Sequence, residues 1–188
     1  MGEFNNNNIY SDALQFTLKK EGGFVNHSDD LGGATNRGVT QRTYNAYLKK
    51  QGKPFKSVRY ISQKEYEDIY RNYWINSGAN KIQDPKLAIV HFDSYFSMNH
   101  TAVAEIFKKS KGDVNKYLDL REAKYKEYAY IDFEKKIPRK IDGKDQSKFY
   151  EGWMNRAKDL REYIEQYDPH IKAGKKKSSI NTDPNKKY

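Results

Sequence analysis

Three side chains early in the sequence have the types and spacing that acid-assisted hydrolysis needs. Leu14, Leu18 and Glu21 recur at helical intervals, so on a helix they share one stripe. A carboxyl at the end of an apolar stripe loses water, which disfavours its charged form and raises its pKa. A raised pKa lets the group hold a proton near neutrality and act as a general acid. Asp30 follows across a loop long enough to fold back, and it is a candidate for the second carboxylate that glycoside hydrolysis uses. A separation of roughly 6.5–9.5 Å would suit inverting attack by water, and about 5–5.5 Å a retaining nucleophile; the sequence leaves both open. Thr35 offers a hydroxyl to hold that water. Asp29 competes with Asp30 for the same role. His27, Asp29 and Asp30 also carry metal-ligating atoms, a reading the spacing favours less. Each residue alone has an ordinary account: a glutamate at a helix end is commonly solvated, and aspartates in glycine-rich loops commonly form turns.

The elements that would position these groups are mostly helical. Ser11 reads as the N-cap of a helix over 12–20 that Gly22 and Gly23 stop. Residues 24–40 are rich in Gly, Asn, Asp and Ser and lose the helical period, which predicts a loop with room for a short hairpin. Helical patterning resumes at Thr40, with Tyr44, Tyr47 and Leu48 on one face. Ser62 and Glu65 form a capping box ahead of the stripe Tyr66, Ile69, Tyr70, Tyr73 and Trp74. Asp84 and Pro85 open a helix whose apolar face includes Leu87, His91, Phe92 and Phe96. A short helix over 102–108, a longer one from Asp113 to about 130, a polar connection over 135–144 and a last helix over 147–167 complete the pattern. The expected fold class is mainly α, with one small irregular or β-containing segment after the first helix. Residues 1–8 and the lysine-rich 169–188 are expected to be disordered ends.

Composition narrows the partners. Thirty-five Lys and Arg against 25 Asp and Glu leave a net charge of +10, which attracts polyanions of any kind, nucleic acid and wall polymers alike. No nucleic-acid-binding motif accompanies that charge. There is no cysteine, which excludes disulfides, thiolate nucleophiles and Cys-ligated zinc. The polar start has no secretory-signal pattern, and no stretch approaches the ~20 apolar residues of a membrane span. Synthesis in the cytoplasm is therefore expected, with a separate route of delivery to any target beyond the membrane.

The stretch EGGFVNHSDDLGGATNRGVTQRTYNAY resembles glycoside hydrolase family 108, a group of phage and bacterial N-acetylmuramidases with the pattern E-G-G-[YF]-V-N-x-x-x-D-x-G-G-x-T-x-x-G-[IV]. The likeness continues through IYRNYWINSGANKIQDPKLAIVHFDSYFSMNH and to the region around Trp153, covering about 9–167. It implies a lysozyme-like fold, a catalytic part over 9–111 and a helical C-terminal region over 112–168 similar to a peptidoglycan-binding segment. It implies Glu21 as the catalytic acid. By similarity to phage lysozymes, Asp30 and Thr35 would position the attacking water. Arg37, Tyr73, Trp74 and Asn99 are the candidate substrate-binding residues, the two aromatics by stacking on sugar rings and Arg37 by pairing with a carboxylate. Asn99 stands in a run where the family commonly has a following glycine; here His100 follows. The implied activity is cleavage of the β-1,4 bond between N-acetylmuramic acid and N-acetylglucosamine in bacterial peptidoglycan, by a monomer, with no cofactor or metal. The lysine-rich tail would add attraction to anionic wall polymers. A lytic transglycosylase and a non-catalytic basic binding protein remain alternatives at this level.

Overall fold

The computed structural model describes residues 6–19, 23–24 and 33–169. Among the described residues are seven α-helices: α1 (Asn6–Lys19), α2 (Gln41–Lys50), α3 (Gln63–Asn76), α4 (Pro85–Ser97), α5 (His100–Ser110), α6 (Val114–Ala129) and α7 (Tyr150–Gln166). The strands are short antiparallel pairs: β1 (Thr35–Asn36) with β2 (Val39–Thr40), β3 (Tyr130–Asp132) with β4 (Ile137–Pro138), and β5 (Lys140–Ile141) with β6 (Lys144–Asp145). The fold is mainly α and lysozyme-like, as the patterning predicts.

Most helix starts follow local chemistry. Thr40 caps α2 by accepting from the Thr43 backbone N–H. Ser62 and Glu65 form the full capping box of α3, and Asp84 caps α4 ahead of Pro85. The first helix departs from expectation. It begins at Asn6, ahead of the predicted cap at Ser11, and takes in residues 6–8. The reason is tertiary: Ile9, Tyr10, Ala13, Phe16 and Thr17 form one buried stripe that begins before Ser11, and Tyr10 packs against Trp74 and Phe92. Burial of that stripe outweighs a local cap. Leu14 and Leu18 sit at its flank, partly buried against the core. The connection expected over 135–144 also departs, because it falls within the two hairpins β3–β4 and β5–β6. The expected disorder over 1–5 and over 170–188 lies outside the described residues.

Helix α4 is the axis of the packing. Residues Leu87 to Ser94 are all buried, and α1, α3, α5, α6 and α7 all contact it. Its Asp93 is fully buried and joins four helices. One carboxylate oxygen accepts from the Thr17 hydroxyl of α1 at 3.3 Å and from Arg156 of α7 at 2.6 Å. The other pairs with Arg121 of α6 at 2.7 Å. Arg121 also donates to Ser94, Ser97 and Tyr125. Burial pushes the Asp93 carboxyl up, but the two guanidinium groups overcome it and hold it down at about 2. The cluster ties the C-terminal helices to the first one.

Candidate active site

Between the β1–β2 hairpin and the C-terminal helices lies a groove of about 910 Å³. Gly38, Thr40, Thr43 and Tyr73 line one side, the α4–α5 junction from Phe96 to Ala102 lines the floor, and Lys124, Tyr128, Gln146 and Trp153 line the far side.

The hairpin is held by specific bonds. Thr35 pairs with Thr40 and Asn36 with Val39, and the two turn residues, Arg37 and Gly38, have φ of 49° and 73°. Two consecutive positive φ values match the twist of a tight hairpin, and glycine takes the second at little cost. Val39 is buried completely. The Asn36 side-chain amide donates to the carbonyls of Val58 and Arg59, both at 3.1 Å. The Gln41 side chain donates to the Lys56 carbonyl and accepts from the Val58 N–H. These bonds lash the extended strap 53–60 to the hairpin.

The structure places the predicted site residues unevenly. Thr35 is half-buried, and its hydroxyl donates to the Gly33 carbonyl at 3.1 Å. Its proton is thereby committed and its lone pairs can accept, which suits a water-holding role. Arg37 is exposed at the hairpin tip. Its guanidinium donates to Gln63 at 2.7 Å and lies 5.5 Å from the Tyr66 ring centre, while its carbonyl accepts from the Tyr70 hydroxyl. Tyr73 is half-buried in the groove wall and donates to the Thr43 hydroxyl at 3.2 Å; burial raises its phenol pKa. Asn99 is exposed on the groove floor, where its side-chain oxygen caps α5 by accepting from the Thr101 and Ala102 backbone N–H groups.

Trp74 requires a correction. It is 3% exposed and packs edge-on to Phe92 and against Tyr10, so it belongs to the core and does not stack on a substrate. Consecutive helical positions point about 100° apart, and only Tyr73 of the pair faces the groove. Glu21, His27, Asp29 and Asp30 lie outside the described residues. Thr17, four positions before Glu21, is fixed to Asp93. Phe24 is half-buried beneath the Arg59 guanidinium, 4.2 Å from its ring centre. Among the described residues no cluster of His, Cys, Asp or Glu could hold a metal ion.

The sequence does not single out Lys124, Tyr125, Tyr128 or Gln146, because they reach the groove from helices and hairpins distant in the chain. Trp153 reads there as core; it packs against Tyr125 and Phe149 and also lines the groove.

Residues 14–99 match the family model described as glycosyl hydrolase 108. All seven predicted site residues fall within that segment. That segment, a little under half of the chain, is similar to the glycosyl hydrolase 108 family. The solved structure of Brucella abortus SagA is similar to it, with a TM-score of 0.63 and 22% identity over 82% of this chain and 92% of that one. At that identity the likeness speaks for the fold. No curated protein matches the chain. The matched segment supports a glycoside hydrolase acting on a carbohydrate. It supplies only one side and part of the floor of the groove, because residues beyond 99 supply the rest. Among the described residues, no helix is long and apolar enough to cross a membrane.

Proposed function

We propose that the chain is an N-acetylmuramidase that cleaves the β-1,4 bond between N-acetylmuramic acid and N-acetylglucosamine in bacterial peptidoglycan. The observation that carries this reading is the family match over 14–99, which spans the Glu-Gly-Gly segment, Asp30, Thr35 and the hairpin beside the groove. Glu21 acts as the general acid and protonates the leaving glycosidic oxygen. Asp30, with Thr35 accepting a hydrogen bond, orients or activates the water that attacks the anomeric carbon. Asp29 is the competing residue for the Asp30 role. Arg37, Tyr73 and Asn99 contact the substrate along the hairpin and the groove floor. The chemistry requires no cofactor. The enzyme acts on the wall after delivery across the membrane.

The buried Asp93 cluster holds α1 through Thr17, which stands four positions before Glu21 in the sequence.

The test is digestion of purified peptidoglycan with mass analysis of the fragments. Wild-type protein should release fragments with reducing N-acetylmuramic acid ends. Glu21→Gln should lower the rate by about 10²-fold or more, the scale of losing general acid catalysis. Near wild-type activity of that variant would remove Glu21 from the mechanism. Anhydro-muramic ends would instead establish a lytic transglycosylase, and binding with no fragment release would establish a wall-binding protein without catalysis.

A further inference from the structure

The basic charge of the molecule is not spread evenly. Between Leu31 and Lys64 the chain holds eight basic residues and no acidic one. This stretch builds the hairpin, α2 and the strap, which together form the lobe on one side of the groove. Every one of its basic side chains is exposed, Arg37, Lys49, Lys50, Lys53, Lys56 and Arg59 among them. Two aromatic rings are exposed with them, Phe55 at 65% and Tyr60 at 69%.

Among the described residues, few carboxylates offset this charge. Glu65 is buried beneath the strap, 3.6 Å from Lys53 and 3.2 Å from Lys56, and its one charge faces two lysines. Asp68 accepts from Tyr47 and pairs with Lys64, and Glu67 accepts from Gln63, both further along α3. Arg37 and Arg59 contact only neutral partners among the bonds described above. A cationic surface of this kind concentrates an anionic polymer along it.

We propose that this lobe docks the peptide stems of peptidoglycan through their carboxylates while the glycan strand lies in the groove. The inference rests on the muramidase reading for the identity of the polymer. A glycan strand of this type carries its stems on alternate sugars, and they must leave the groove along its rim. Arg42 sits on that rim, lining the groove, and Lys49 and Lys50 follow it on the same helix, α2. The exposed Phe55 and Tyr60 rings offer apolar contact to the side chains of the stem.

The experiment is sedimentation of the full chain with sacculi stripped of phosphate polymers, in the cold, before and after an amidase removes the stems. Wild-type protein should bind intact sacculi roughly five- to tenfold more tightly than stem-free strands, with added salt erasing the difference. The variant Lys49→Gln/Lys50→Gln/Lys53→Gln should lose most of that preference while keeping its melting temperature and its hydrolysis of stem-free strands. The matching Lys→Arg triple should retain it. Equal binding to intact and stem-free sacculi would overturn the proposal. So would binding that appears only on walls retaining phosphate polymers, or that is tighter on DNA than on sacculi at the same salt. The cold binding measurement judges the docking face even if fragment analysis denies the muramidase reading. Muramic-acid products with no stem preference would sink the docking proposal alone.

Discussion

At the scale of single residues, Arg37 is held in a conformation it does not prefer. Its φ of 49° is left-handed, a region in which asparagine is comfortable and a long side chain is not. Asn followed by Gly is the favoured pair for such a hairpin turn. The Gln63 hydrogen bond and the Tyr66 ring contact partly compensate Arg37, but Arg37 and Gln63 are exposed and water competes for the guanidinium. Arg37→Asn should therefore leave stability unchanged or raise it by up to about 1 kcal/mol, read from the urea midpoint. The same variant should raise KM for peptidoglycan with little change in kcat, since the guanidinium is proposed to bind substrate and not to react. A fall in kcat with KM unaltered would place Arg37 in the chemical step instead.

At the scale of elements, the cluster around Asp93 links helices that local sequence patterns treat as independent. Its two arginines are buried or nearly so, with side-chain exposures of 0% and 14%. A substitution that removes the carboxylate charge takes from the fully buried Arg121 the carboxylate it pairs with at 2.7 Å. Breaking a buried ion pair by removing one partner costs about 3–5 kcal/mol. Asp93→Asn should lower unfolding stability by about that amount in a denaturant titration, although it is almost the same size. A loss below about 1 kcal/mol would mean that Ser94, Ser97 and Tyr125 hold Arg121 without it.

At the scale of the whole molecule, acid should unfold the protein through two buried carboxylates that belong to different regions. Glu65 accepts from the Ser62 backbone N–H at 3.0 Å and from the hydroxyls of Tyr44 and Ser62. Burial pushes its pKa up, but these bonds and Lys56 prevail and hold it at about 2, against an ordinary 4.5. Asp93 is likewise held at about 2, against 3.8. A folded pKa below the unfolded one means that the native state binds protons less readily. The stabilisation is fully present above about pH 4.5 and is lost as the pH falls towards 2. Buried His91, its pKa lowered from 6.5 by desolvation, charges more readily in the unfolded chain, so the urea midpoint should sag below about pH 6.5 and drop steeply below about pH 4. Glu65→Gln should lower the neutral plateau and flatten part of that drop. A midpoint that stays level down to pH 2.5 would contradict both pKa values. The C-terminal helices should melt with the rest, because α6 and α7 share the core with α4.

What the sequence by itself determined was local or recurrent. The caps at Ser62, Asp84 and Asp113 were legible because a side-chain oxygen and a nearby backbone N–H suffice to make them. The mainly helical class followed from periodic apolar stripes, and the likeness to glycoside hydrolase family 108 from one long, uncommon stretch. Tertiary structure decided what depends on partners far along the chain. Only packing against α3 and α4 shows that α1 starts at Asn6, since Tyr10 is buried against Trp74 and Phe92. Only the three-dimensional arrangement separates Tyr73 from Trp74, because adjacent aromatics on one stripe look alike until the core claims one of them. The far side of the groove was illegible for the same reason: Lys124, Tyr128, Gln146 and Trp153 acquire a common function only where α6, the hairpins and α7 fold back over the α4–α5 junction.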